Sequence, residues 1–163
     1  VLSQNERRVT QSERFTGVVL RFGDLYGPGT WFATGGSTTE SIRSRKFPLV
    51  GGGNGMNSLV HVSDAATAAA LAVERGAGIY NVVDDDPAPF SEFVPYVAEL
   101  LGAKKPQDVP AWLARMVAGR FLTANATTQV GASNAKAKSA LGWTPGLPTW
   151  RDGLRDYRDD LLQ

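Results

Sequence analysis

The sequence predicts an α/β fold that shades into α+β. In the first half of the chain, short apolar runs bounded by glycine alternate with helix-periodic stretches. In the second half helix-like stretches dominate. Of the 163 residues, 42% are hydrophobic and 20% charged, an ordinary balance for a chain that buries a core.

Residues 2–14 have the spacing of the last turns of an amphipathic helix. Leu2, Val9 and Phe15 are its apolar points, and Glu6, Arg7, Arg8 and Glu13 its wet face. Val18-Val19-Leu20-Arg21-Phe22, between Gly17 and Gly23, suits a buried strand of a parallel sheet. The Gly- and Pro-rich run from Gly23 to Thr30 predicts a loop. A polar helix follows over about 34–45, then a short strand at Phe47–Val50, a turn at Gly51–Gly55 and a strand at Ser58–Val62. Ser63 or Asp64 is placed to cap an alanine-rich helix that runs to Arg75 and closes at Gly76 or Gly78. Ile79–Val83 predicts a strand ending in the acidic turn Asp84-Asp85-Asp86-Pro87, which suits a solvated tip better than a spaced cation loop.

Phe90, Phe93, Val94, Val97 and Leu101 share one helical face, with Ser91 as the expected cap and Pro95 tolerated near the helix start. Further helices are expected over Ala111–Phe121, Ser133–Leu141 and Thr149–Leu162. Trp112, Leu113, Met116, Val117, Phe121 and Leu122 give the first of these a heavy apolar load. A small subdomain core is preferred there over a lid or a docking face. Arg151, Arg155 and Arg158, interleaved with Asp152, Asp156 and Asp159, predict a solvated ion-paired face.

Lys and Arg number 17 against 16 Asp and Glu, a net charge of +1. That balance lacks the electrostatic footprint of a nucleic-acid or anionic-membrane binder, so neither partner is expected. With no cysteine, disulfides, thiolate nucleophiles and Cys-ligated metals are excluded. The single histidine, His61, leaves little for a metal site and fits a packing role. No apolar run approaches the ~18 residues of a transmembrane helix. The N-terminus has no apolar signal core, so a cytoplasmic location is expected. Starting at Val1 inside a helical pattern, the chain reads as a piece of a longer protein.

Several local patterns fall in one order: Leu20-Arg21 before Tyr26-Gly27-Pro28-Gly29; Gly51–Gly55 before Leu59-Val60-His61-Val62-Ser63-Asp64; Gly78-Ile79-Tyr80-Asn81-Val82; Asn134-Ala135-Lys136; Leu141-Gly142-Trp143-Thr144-Pro145; and Trp150-Arg151-Asp152-Gly153-Leu154. Together they resemble the C-terminal half of the extended short-chain dehydrogenase/reductases, the NAD(P)-dependent epimerase/dehydratase family. The resemblance implies part of a Rossmann-like doubly wound sheet plus a small, mostly helical substrate-binding subdomain. Residues 1–33 would be the remnant of the dinucleotide domain and 34–163 mainly the substrate subdomain, with the strand at 78–83 a candidate to return to the sheet.

The family binds NAD or NADP through a glycine-rich turn that opens a helix. Gly51–Gly55 lies between two strand-like runs, so it is no substitute. The family's tyrosine acid/base is followed four residues later by lysine. After Tyr26, Tyr80, Tyr96 and Tyr157 that place holds Thr30, Asp84, Leu100 and Leu161. The chain alone is therefore expected to hold no cofactor tightly, to be catalytically inactive and to self-associate through exposed apolar surface.

By the same resemblance, Arg21, Phe22 and Gly23 would lie beside the nicotinamide, and Asp24, Tyr26 and Asn57 would face a small-molecule substrate. Asp24 and Asn57 depart from the family's usual asparagine and diphosphate-gripping arginine. Both changes argue against a nucleotide-diphosphate sugar, because one adds negative charge and the other removes a charged fork. The Trp31-Phe32 pair suits a less polar ligand. The competing expectation is a non-catalytic binding or sensor protein on the same scaffold.

Overall fold

The structure is a computed structural model that describes residues 2–156. It is a mixed α/β fold with small, mostly parallel sheets. The first helix, α1 (Leu2–Thr10), stops short of the expected residue 14, and Phe15 is exposed. It crosses the chain at Gly17, where a Cβ would lie 1.9 Å from the Val9 carbonyl oxygen. Strand β1 (Val18–Phe22) runs beside α1. Gly23 separates it from β2 (Asp24–Tyr26), so the expected loop begins with a strand. Next come α2 (Ser37–Arg43), β3 (Leu49–Val50), a short 3-10 turn at Gly51–Gly53, β4 (Met56–Asn57), β5 (Leu59–His61) and α3 (Val62–Arg75). The remainder is β6 (Gly78–Val82), β7 (Ala88–Pro89), α4 (Phe90–Leu100), β8 (Asp108–Val109), α5 (Ala111–Thr128), α6 (Ala135–Leu141) and α7 (Trp150–Asp156). Arg158 and Asp159, expected to continue the last helix, lie outside the described residues.

β1 pairs in parallel with β6, from Val18 opposite Gly78 to Phe22 opposite Val82. β2 pairs in parallel with β5, and β3 with β8, while β4 and β7 are antiparallel. The expectation that β1 is buried is not met. Its first three residues are half-buried and its last two exposed, because among the described residues only β6 pairs with it. A parallel strand reaches full burial when neighbours and helices cover it on all sides.

Side-chain alternation on β5 divides the interior. Leu59 enters one core with Tyr26, Phe32, Phe93, Val97, Trp150 and Leu154. Val60 enters the other with Ala68, Ala72, Tyr80, Leu141 and Trp143. The small residues of α3 allow α6 to pack close to it. The closing segment is tied back by specific bonds. Asn134 donates from Nδ2 to the Val83 carbonyl at 2.8 Å, and Lys136 Nζ donates to the Ile79 carbonyl at 2.8 Å. Trp143 Nε1 donates to the Asp64 carbonyl at 3.1 Å.

Several capping expectations are corrected. The residue that caps α3 is His61, whose Nδ1 accepts from the Ser63 amide at 3.3 Å. Asp64 instead reaches across the fold and accepts from the amides of Gly146 at 2.8 Å and Leu147 at 3.0 Å. Pro89 precedes α4 with no side-chain cap, so Ser91 is not the cap; Pro95 lies further into the helix than expected. Thr149 does cap α7, accepting from the Asp152 amide at 3.2 Å and donating to its carboxylate at 2.6 Å.

The acidic turn is not a solvated tip. Asp84 is 2% exposed, Asp85 pairs with Lys138 at 2.6 Å, and Asp86 pairs with Arg151. Arg151 also pairs with Glu92 and lies over the Trp150 ring, so it joins three segments rather than decorating one helix face. Among the described residues the subdomain core expected on α5 does not form. Trp112, Met116, Val117 and Phe121 are all exposed. Apolar side chains surround this helix, and Gly119 breaks it with a φ of +83°, so one contact face of Ala114 and Thr123 cannot bury them all.

Candidate substrate and cofactor pocket

Gly23 creates the site. Its amide donates to the Val82 carbonyl at 3.1 Å, still in the β6 register. The next amide, of Asp24, donates to the Ser58 carbonyl at 2.8 Å, beside β5. The chain thus changes partner strand within one residue. A Cβ on Gly23 would lie 2.4 Å from the Ser58 oxygen, so any larger residue would push the strands apart. After β2 the chain turns at Gly27, whose φ is +106° and whose Cβ position is taken by the His61 ring. Thr30 locks the turn by donating from Oγ1 to the Gly27 carbonyl at 2.8 Å.

This backbone encloses a cavity of ≈ 470 Å³, lined by Gly23 to Leu25, Pro28 to Phe32 and Val62 from α3. Among the described residues no lysine or arginine lines it, and Asp24 is the one ionisable wall residue. Trp31 is 72% exposed on the same wall. The surrounding protein pushes the Asp24 carboxyl pKa up, and Asn57 beside it partly offsets this by favouring the carboxylate. Asn57 is 1% exposed, and neither its amide oxygen nor nitrogen makes a hydrogen bond of ordinary geometry. A buried amide so placed has hydrogen-bonding capacity to spare.

The expected site residues separate in space. Gly23 and Asp24 line the cavity. Phe22 is 43% exposed at the end of β1. Arg21 turns away and binds both oxygens of Glu6 on α1, at 2.7 and 2.6 Å, which lowers the Glu6 pKa. Asn57 is not among the lining residues but its side chain interacts with Asp24. Tyr26 does not face the cavity: it is fully buried in the core and meets His61 edge-on with ring centroids 5.2 Å apart. Asp24 and Tyr26 share one face of β2. α7 closes over that face at Tyr26, where a Cβ on Gly153 would lie 2.2 Å from the phenol oxygen.

His61 is likewise occupied with packing and capping, and burial lowers its pKa. Thr30 and Val62 are wall residues that motif reading did not single out. Val62 follows the strand that pairs with β2, and that pairing was the signal for it.

The residues present fit the nicotinamide end of a dinucleotide and not its phosphates. The cavity is mostly apolar and cation-free, and within the chain no glycine-rich turn opens a helix.

No family model matches the chain. A curated relative from Streptomyces sp., 3-diazoavenalumate denitrifying reductase, is 47% identical over 154 residues, which are 94% of this chain and 50% of the relative. The chain thus spans about half the length of the curated relative it matches. Among solved structures, a human epimerase family protein with NADPH superposes with a TM-score of 0.73 at 22% identity, over 92% of this chain and 50% of that one. UDP-glucose 4-epimerase of Thermotoga maritima with UDP-glucose superposes with a TM-score of 0.71 at 21% identity, over 96% and 50%. In fold, the chain is similar to about half of each of these NAD(P)-dependent epimerase and dehydratase structures, in keeping with the resemblance that its ordered motifs carry.

Proposed function

We propose that this chain is the substrate-facing half of an NAD(P)H-dependent reductase whose substrate is small and less polar than a nucleotide-diphosphate sugar. The observation that carries this reading is the cavity wall. It bears a carboxylate at Asp24 and no cation, whereas a diphosphate needs charged donors. Residues 1–33 extend the dinucleotide domain and 34–163 form mainly the substrate domain. Gly23 and the backbone at Arg21 and Phe22 flank the nicotinamide, Asp24 faces substrate, and Asn57 interacts with Asp24. When bound, the dihydronicotinamide supplies a hydride. The glycine-rich turn and the Tyr/Lys pair come from a segment outside this chain, so the chain alone turns nothing over. The relative's name, a diazo-compound reductase, supports reduction of a small molecule.

The test uses the full-length protein with NADH or NADPH and a panel of nucleotide sugars, small carbonyls and diazo compounds. Turnover confined to the small substrates is expected, with Asn57→Arg gaining nucleotide-sugar binding. Efficient turnover of a nucleotide sugar by the unaltered protein would sink the reading.

A further inference from the structure

We infer that this cavity selects a planar aromatic cation, with the Asp24 carboxylate as the counter-charge and the exposed Trp31 ring as the stacking face. The inference rests on the substrate-site reading above and adds the charge of the ligand to it. Asp24 faces a mostly apolar concavity, and among the described residues it has no ion-pair partner. Asp24 is exposed on the cavity wall, so its carboxylate is open to a ligand that enters and offers a positive charge. Asn57 alongside favours the carboxylate and partly offsets the upward shift of its pKa.

Trp31 is 72% exposed, although the strong hydrophobic drive on an indole normally buries it. Its backbone is held, because its carbonyl accepts from the Thr38 and Thr39 amides at 3.1 and 3.4 Å. The ring therefore stands on a fixed turn at the cavity wall. Tryptophan is the best cation–π partner among the side chains. A ligand with both a flat π face and positive charge uses both features at once. A neutral ring uses only Trp31, and an anionic ring is repelled by Asp24.

The test is calorimetric titration of the full-length protein, without cofactor, using N-methylquinolinium, neutral quinoline and 2-naphthoate at low and high sodium chloride. The cation should bind about tenfold more tightly than quinoline at low salt, a gap of about 1.4 kcal/mol, and 2-naphthoate should bind weakest. Salt should narrow that gap. Asp24→Asn should abolish the cation's advantage over quinoline, and Trp31→Ala should weaken both rings. An unchanged cation preference in Asp24→Asn, or no preference in the unaltered protein, overturns the inference. The salt series reads the same charge selection without any variant. Turnover of small substrates without cation preference refutes this inference alone. Cation preference without turnover on any small substrate refutes the reductase reading alone.

Discussion

Replacing Asp84 with asparagine should stabilise the protein above neutral pH and do little in acid. Asp84 is 2% exposed at the exit of β6. One oxygen accepts from the Asp86 amide at 3.1 Å, and the other has no hydrogen-bond partner. Burial raises its pKa from 3.8 to about 7; the neighbouring acids Asp85 and Asp86 add to this, and amide donors only partly offset it. In the unfolded chain the group ionises near 3.8, whereas in the folded chain it keeps its proton to about 7. The unfolded state therefore binds fewer protons across that window, and stability falls as pH rises through it. Asp84's favourable contribution is fully present below 3.8 and is lost by about pH 7.

At 1.36 kcal/mol per pH unit, the gap of about three units sets a ceiling of about 4 kcal/mol, and relaxation around the charge brings the expected effect nearer ~2 kcal/mol. Asparagine keeps an acceptor for the Asp86 amide and never ionises. Urea unfolding of both proteins at pH 4.5 and 8.5 measures the difference. The variant should gain roughly 2 kcal/mol on the unaltered protein between the two conditions. An equal effect of the substitution at both pH values would show that folded Asp84 is ionised throughout, and the argument would fail.

Asp64→Ala should destabilise by about 1–3 kcal/mol, since it removes the buried side chain that accepts the part-buried hydrogen bonds from the amides of Gly146 and Leu147; a thermal melt within a degree of the unaltered protein would contradict this. Gly153→Ala should cost ~1–3 kcal/mol by forcing α7 off Tyr26. Chemical denaturation reads this cost, and a neutral result would mean that α7 does not seat on β2. The exposed side chains of α5 should make the isolated chain self-associate. Met116→Ser with Phe121→Ser should reduce the light scattering at high concentration, and a strictly monomeric unaltered chain would refute the expectation.

Much of the fold was legible in the residue pattern because it is set locally. Glycine-bounded β-branched residues specify β1, a run of small residues specifies α3, and Gly142, with a φ of +65°, stops α6 where a left-handed residue is needed. The order of motifs was enough to point to the fold of the NAD(P)-dependent epimerases and dehydratases, since each is a short contiguous string. The candidate site was legible only in part. Gly23 and Asp24 were recognisable from the strand exit, but Tyr26, two residues on, lies in the core because α7, far along the chain, covers that face. The three acids at 84–86 were equally unreadable. Their partners, Asn134, Lys138 and Arg151, stand 49 to 65 residues away and arrive only when α6 and α7 fold back. The apolar stretch on α5 shows the reverse, for hydrophobicity supplied the wish for a core, yet among the described residues nothing covers Trp112, Met116, Val117 and Phe121. Sequence determined which segments form and which fold they follow. Tertiary structure decided what each side chain meets, because burial and pairing depend on elements distant along the chain.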